Sequence, residues 1–352
     1  MSELTAWVWI SAGRFLAKLH ADTRRDGVGA YLRLVERHGD DLRWTIAASQ
    51  KGHPSKFVFG PAGEAIPGFY LYLADAQVGQ FEPGESTGED AGSGVGGRPY
   101  ILAETNWKAV HRTPFDVAVL PWGATEAHNW HLPYATDVIQ CDAVAAESAR
   151  RAWERGARVA VLPTVPFGVQ TGQLDIPFCL NLNPSTQLAV LHDVVQSLAG
   201  QGVRRLVILN GHGGNDFRAI IRELQPRVDC FLCAINWWNC VDPRPFFAQP
   251  GDHAGELETS VMMHVAPDLV LPLDEAGPGR ERKARIAGLR EGWAWAPRRW
   301  TAITDDTGVG DPSAATPEKG AAFLDAVAER IAGFLVELAA ADLDDLYADA
   351  PA

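Results

Sequence analysis

Leu120 to Asp137 reads LPWGATEAHNWHLPYATD. The apolar run Phe115 to Leu120 (FDVAVL) leads into it as a buried strand, and a helix-like pattern with Ile139, Val144 and Trp153 among its apolar positions follows from Asp137 to Arg155. Between strand and helix, one Glu, two His and one Asp fall within twelve residues, at Glu126, His128, His131 and Asp137. Carboxylate oxygen and imidazole nitrogen form a donor set that suits Zn²⁺, Mn²⁺ or Fe²⁺. Polar groups collect in loops anyway, so the cluster gains its force from what the rest of the chain adds to it.

Downstream, the strand-then-helix pattern repeats. Ala157 to Pro163 is a second strand, and Ser185 is expected to cap a helix with a stripe through Leu188, Leu191, Val194, Val195 and Leu198. Val203 to Leu209, a helix over Asp216 to Leu224, a fourth strand over Val228 to Trp237 and a helix from Glu256 to His264 follow, with a closing helix over Glu318 to Tyr347. The strands are continuous apolar runs rather than in-out alternations. That pattern predicts a three-layer α/β/α sandwich on a mostly parallel sheet.

In such sheets ligands bind beyond the carboxyl ends of the strands, and polar residues gather there from four separate places. After the first strand come Glu126, His128 and Asp137, and after the second comes PTVPFGVQTGQLDIPF. The third runs into NGHGGN at 210–215, with His212 projecting from a tight turn. The fourth runs into Asn236, Trp237 and Trp238, followed by Gly251 to Thr259 (GDHAGELET). NGHGGN lacks the Walker lysine and the G-x-G-x-x-G spacing of a nucleotide loop. Glu256 and Glu258 lie about 200° apart around a helix axis, so one of them faces the site. There is no H-E-x-x-H pair and no G-x-S-x-G elbow, which argues against a thermolysin-like peptidase and a serine hydrolase.

Bulk properties narrow the field further. The chain has 352 residues, 47% hydrophobic and 21% charged, enough for a substantial core. A net charge of -13 without a basic run argues against nucleic acid or an anionic membrane as partner. No apolar stretch reaches the ~18 residues of a membrane span. The first twenty residues carry an early acid and no small-residue cleavage site after an apolar core, unlike a signal peptide. Five cysteines read as buried, reduced thiols, which points to the cytoplasm. Residues 1–83 read as an N-terminal extension or small α+β module of unknown function, with helices over 4–20 and 30–38 and short strands over 56–59 and 68–73. The Gly, Ser and acid-rich stretch 84–97 reads as a flexible linker to a domain over 98–352.

Three separated motifs now occur in one order: E-x-H-x-x-H-L-P-x-x-T-D, NGHGGN and HAG-x-x-ETS. Together they closely resemble the creatininase (creatinine amidohydrolase) family over about residues 98–335, including the later TGVGDP and ATPEKG runs. The resemblance implies a hydrolase, often hexameric, with two divalent metal ions per subunit. Glu126 and His212 would hold one ion, His128 the other, and Asp137 would bridge them. Creatininase has a glutamate where this chain has Gly214, and Glu258 is the substitute. His253 matches a histidine that handles protons or positions water.

Two departures bear on the substrate. The usual H-G-P-H is His128-Asn129-Trp130-His131, and the usual E-H after the second strand is Gln173-Leu174. Asn129, Trp130, His131, Gln173, Trp237 and Trp238 are therefore the expected substrate contacts. Creatinine itself is doubtful, and a small cyclic amide or related C–N compound, or a cyclic ketone, is the expected substrate class. A catalytically silent metal-binding or scaffold protein of the same fold is the competing reading, and it gives no reason to keep Glu126, His128, Asp137, His212 and Glu258 together.

Overall fold

A computed structural model describes residues 97–348 in full and, within residues 3–79, the backbone of eight strands. The chain divides into a unit over Met1–Gly96 and a unit over Gly97–Ala352. In the first, an antiparallel pair joins Glu3–Ile10 to Arg14–Asp22, and a six-stranded antiparallel sheet runs from Arg24–Asp26 to Gln77–Gly79. Where helices were expected over 4–20 and 30–38, the described residues 4–10, 14–20 and 30–34 are strand, so the described elements of this unit are all β rather than α+β. Tryptophan and β-branched residues dominate 7–10 and favour the extended chain over a helical spacing. The linker expected over 84–97 lies outside the described residues except for Gly97.

The second unit is built on four parallel strands, β1 (Val117–Trp122), β2 (Val159–Val161), β3 (Arg205–Asn210) and β4 (Phe231–Asn236), in the spatial order β2-β1-β3-β4. Its main helices are α1 (Thr136–Glu154), α2 (Pro184–Gly200), α3 (Phe217–Leu224), α4 (Glu256–Val265) and α5 (Pro317–Ala340). Successive side chains of β1 point to opposite faces. Val117 and Val119 join the core under α1, α4 and α5, whereas Ala118, Leu120 and Trp122 join the core under α2 and α3. Both faces of the sheet are covered, which is the three-layer α/β/α sandwich and the reason the strand sequences lack alternation.

Element ends differ from the expected ones in detail. Asn183 precedes α2, with Pro184 at its first turn, so Ser185 lies inside the helix. The closing helix stops at Ala340. Trp237 and Trp238 leave β4 and form a single 3₁₀ turn. All five cysteines are free, with Cys141, Cys179 and Cys230 buried and Cys233 and Cys240 half-buried. Among the described residues no helix is long and apolar enough to cross a membrane.

The strand order creates the site. β1 continues into α1 on one face, and its neighbour β3 continues into α3 on the other. Connections that part in opposite directions leave a crevice at the carboxyl ends of the two strands. Gly123 is required at the mouth of that crevice, because a Cβ there would lie 2.8 Å from the Val138 main-chain nitrogen.

Candidate metal centre

Asp137 sits in the first turn of α1, where the helix N-terminus favours a carboxylate. Glu126 and His128 come from the loop after β1, His212 from the turn after β3, His253 from the segment just before α4, and Glu258 from the first turn of α4. Leu132 packs with Ala254 and Met262 and so fixes the β1 loop onto α4. Two donor trios result, Glu126–Asp137–His212 and His128–Asp137–Glu258, and they share Asp137. A third, Glu126–His128–His253, overlaps both. Five of the six side chains are buried, with Glu126, His128 and Asp137 at most 2% exposed, and Glu258 is half-buried.

The histidine tautomers are set by main-chain carbonyls. His212 Nε2 lies 2.9 Å from Val169 O, His128 Nδ1 3.1 Å from Glu126 O, and His253 Nε2 2.8 Å from Ala127 O. A carbonyl only accepts, so each of these nitrogens carries the hydrogen. The opposite ring nitrogen then faces carboxylate oxygens. His212 Nδ1 is 3.0 Å from Glu126 Oε1 and 2.9 Å from Asp137 Oδ2, and His128 Nε2 is 3.0 Å from Asp137 Oδ1. His253 Nδ1 is 3.6 Å from Glu126 Oε1. Lone pair would face lone pair unless a proton or a cation lies between them. The donor set therefore fits divalent metal ions, with the ring orientations fixed by the bonds made behind them.

The electrostatics show the same tension. Burial pulls His128 down, but the Asp137 carboxylate outweighs it and holds the imidazole up at about 10. His212 is likewise raised, against its burial, by Glu126 and Asp137. Burial pushes Glu258 up to about 7. Burial, with His128 beside it, lowers His253 to about 4.

A cavity of about 140 Å³ opens over these groups. Trp237 and Trp238 line it at right angles to each other, with Trp237 seated on Phe323 of α5. Gly214 also lines it, and a Cβ there would sit 2.0 Å from Val169 O and 2.4 Å from His212 Nε2. The backbone thus has no room for a glutamate at 214, while Glu258, whose Oε2 accepts from Ala254 N at 2.5 Å, reaches the second trio.

Four expected substrate contacts lie away from the cavity wall. Gln173 is buried behind Glu126 and donates to its Oε2, while Cys179 donates to Gln173 Oε1. His131 is bonded to Thr259 of α4 at 2.9 Å. Trp130 is 61% exposed. Asn129 is a clamp: its Nδ2 donates to Gly277 O at 2.9 Å, its Oδ1 accepts from Gly277 N at 2.8 Å, and its own N–H donates to Thr307 Oγ1 at 2.9 Å. Its φ of 55° lies in the left-handed region that asparagine tolerates better than most residues. Asn129→Ala is expected to cost about 2–4 kcal/mol of folding stability, from the strained φ and the abandoned Gly277 groups. Thermal unfolding reads this as a lowered Tm, and an unchanged Tm would remove the clamp from the account.

Two side chains of the wall, Arg298 and Trp300, were not foreseen, while Asp252 comes from the GDHAGELET stretch. Trp300 lies 4.6 Å from His253, ring to ring, and Arg298 stacks 4.7 Å over Trp300. The only hint in the sequence is the APRRW run at 296–300, which has no periodicity of its own.

Residues 103–335 match the creatinine amidohydrolase (creatininase) family model. The chain is 30% identical to a creatinine amidohydrolase from Pseudomonas putida over 176 residues, 44% of this chain and 66% of that enzyme, just under two thirds of its length. It is 29% identical to a mycofactocin precursor peptide peptidase from Mycobacterium tuberculosis (strain CDC 1551 / Oshkosh) over 232 residues, 62% of this chain and 85% of that one. A solved structure from Bacteroides fragilis NCTC 9343, assigned as a creatinine amidohydrolase, matches with a TM-score of 0.67 and 45% identity over 70% of this chain and 99% of its own. Creatininase structures of a Zn-Zn type and an Mn type, each 25% identical, match with TM-scores of 0.56 and 0.54 over 68% of this chain and 98% of theirs. The chain belongs to the creatininase family of metal-dependent amidohydrolases.

Proposed function

We propose that this chain is a dinuclear metal hydrolase that cleaves a C–N bond in a small amide, preferentially a cyclic one. The observation that carries the proposal is the pair of donor trios sharing Asp137, with all three histidines turned inward by carbonyls behind them. Glu126 and His212 would hold one ion, His128 and Glu258 the other, and Asp137 both. Zinc, manganese and iron all suit the set, and the Zn-Zn and Mn types of the structural neighbours favour the first two. Bound there, two ions would polarise the scissile carbonyl and lower the pKa of a water molecule.

The chain's own residues supply the rest. His253 is neutral at pH 7, and its Nε2–H is committed to Ala127 O, so Nδ1 is free to take a proton from the attacking water. As the C–N bond breaks, the same nitrogen returns that proton to the departing amine. Gln173 holds Glu126 from behind. Among the described residues the buried indole Nε1 of Trp237 has no partner, which supports a hydrogen bond to substrate. A cavity of about 140 Å³ is smaller than the roughly 300–1,000 Å³ of pockets for drug-sized ligands, and this favours a small substrate. The peptidase relative favours a second reading, a peptide amide whose remainder lies in the open groove beside the cavity, between 171–175 and 297–299.

We further propose a cytoplasmic homo-oligomer, by family resemblance a hexamer. Five free cysteines support the compartment, and the exposed Leu174, Phe178, Trp293 and Trp295 support self-association. Elemental analysis of metal-replete protein should find about two divalent ions per chain, and fewer than about one would overturn the dinuclear reading. Turnover is then sought with lactams, cyclic ureas, formamides, cyclic ketones and short peptides. Stoichiometric metal with no hydrolysis of any would favour the silent scaffold instead.

A further inference from the structure

We infer that Arg298 selects substrates bearing a carboxylate, so that the amide cleaved at this site is anionic. The inference takes its reaction from the hydrolase reading above and adds the substrate's charge. Among the described residues lining the cavity, Arg298 is the one arginine or lysine, and it lines the open groove alongside as well. It therefore stands at the seam between the inner chamber, where the amide would be cleaved, and the exit.

Its guanidinium is oriented before any ligand arrives. The plane stacks 4.7 Å over Trp300, whose ring lies 4.6 Å from His253, so the cation is held one aromatic ring away from the candidate proton carrier. Nη1 donates to Asp252 Oδ2 at 2.5 Å. The main chain beneath is pinned as well: a Cβ on Gly172 would lie 2.0 Å from Arg298 O, and Thr301 Oγ1 donates to Asp175 Oδ2 at 2.5 Å. The Asp252 bond uses one edge of the fork. Nε and Nη2 have no protein partner among the described residues, and the side chain remains 41% exposed.

A planar, permanently charged fork with two free N–H groups matches a carboxylate bidentately. The competing role is a purely structural ion-pair cluster, in which Nη1 faces Asp252 Oδ2 and, at 4.0 Å, Glu281 Oε1, and which holds the 297–303 turn in place. Two features go beyond that role. A pair needs no contact with the cavity, and an ion pair this exposed contributes little to stability. One indole ring separates the guanidinium from His253, at 4.7 and 4.6 Å, so a single small molecule could reach both.

Matched pairs test this: 5-oxoproline, dihydroorotate and hydantoin-5-acetate, each against its methyl ester, with metal-loaded protein. Steady-state kinetics give KM and kcat, and calorimetry gives Kd independently of turnover. Wild type is expected to favour the acids, and Arg298→Gln to weaken acid KM and Kd about tenfold to a hundredfold while leaving the esters within about twofold. Arg298→Lys should recover part of the loss, because charge remains and the fork does not. Equal treatment of acids and esters by wild type, a preference that survives Arg298→Gln, or no binding of either series overturns the inference. Hydrolysis of esters and acids alike leaves the hydrolase reading standing without it. Acid binding that depends on Arg298 but leads to no hydrolysis supports the inference and counts against the hydrolase.

Discussion

Asp137→Ala is expected to take the metal content from about two ions per chain to near none and to reduce hydrolysis at least about a thousandfold. The size of the effect follows from position. Asp137 belongs to both donor trios, with Oδ1 3.0 Å from His128 Nε2 and Oδ2 2.9 Å from His212 Nδ1. Loss of an ordinary ligand leaves one trio intact, whereas loss of this one leaves Glu126 with His212 and, separately, His128 with Glu258. Two donors rarely hold a divalent ion against water, so both ions are expected to leave together. Glu258→Gln supplies the contrast, since it touches the second trio alone and should keep about one ion per chain. Circular dichroism on both variants separates loss of metal from loss of fold. Wild-type metal content in Asp137→Ala would sink the bridging assignment, and equal losses in the two variants would remove the special status of Asp137.

The fold was legible because its strands are buried on both faces. VAVL in β1 and LVIL in β3 are apolar throughout, and only a parallel sheet covered on both sides uses such runs. β1 nevertheless reaches Trp122 rather than Leu120, since Pro121 and Trp122 still pair with Leu209 and Asn210. A proline usually signals the end of a strand, and here its carbonyl accepts from Val165 N while the neighbouring strand supports the rest. Residues 4–20 misled in the other direction, since an aromatic patch fits a helical spacing as readily as a strand.

Within the site, residues whose chemistry is their role were visible in the sequence, and residues whose role depends on a distant partner were not. A carboxylate two residues from a histidine suggests a metal on its own. Asn129 suggests a substrate contact until Gly277, 148 residues away, is found bonded to both ends of its amide. Gly214 reads as a missing ligand until Val169 O is found where its side chain would be. Arg298 and Trp300 come from a stretch with no periodicity, and only tertiary packing carries them to the cavity.

Metal affinity is expected to rise with pH by about a hundredfold per unit around pH 7. In the metal-free protein the Asp137 and Glu126 carboxylates raise two histidines against the effect of burial, His128 to about 10 and His212 well above its ordinary value. Both are therefore protonated at pH 7 on the nitrogens that would bind metal, since the other nitrogens already donate to carbonyls. Loading both ions must displace about two protons, and each displaced proton contributes one tenfold factor per pH unit. The sign is fixed by the direction of the shifts: raised pKa values favour the protonated, metal-free form, so acid drives metal out and base draws it in. The slope should fall off as pH approaches 10 and His128 loses its proton unaided. Below about pH 7 it should steepen, as the Glu258 carboxyl begins to carry a proton that must also leave. Calorimetry of zinc loading in buffers of different ionisation enthalpy counts the protons directly. A release near zero would mean that the histidine nitrogens facing Asp137 do not bind the metal, and the ligand assignment would fall with it.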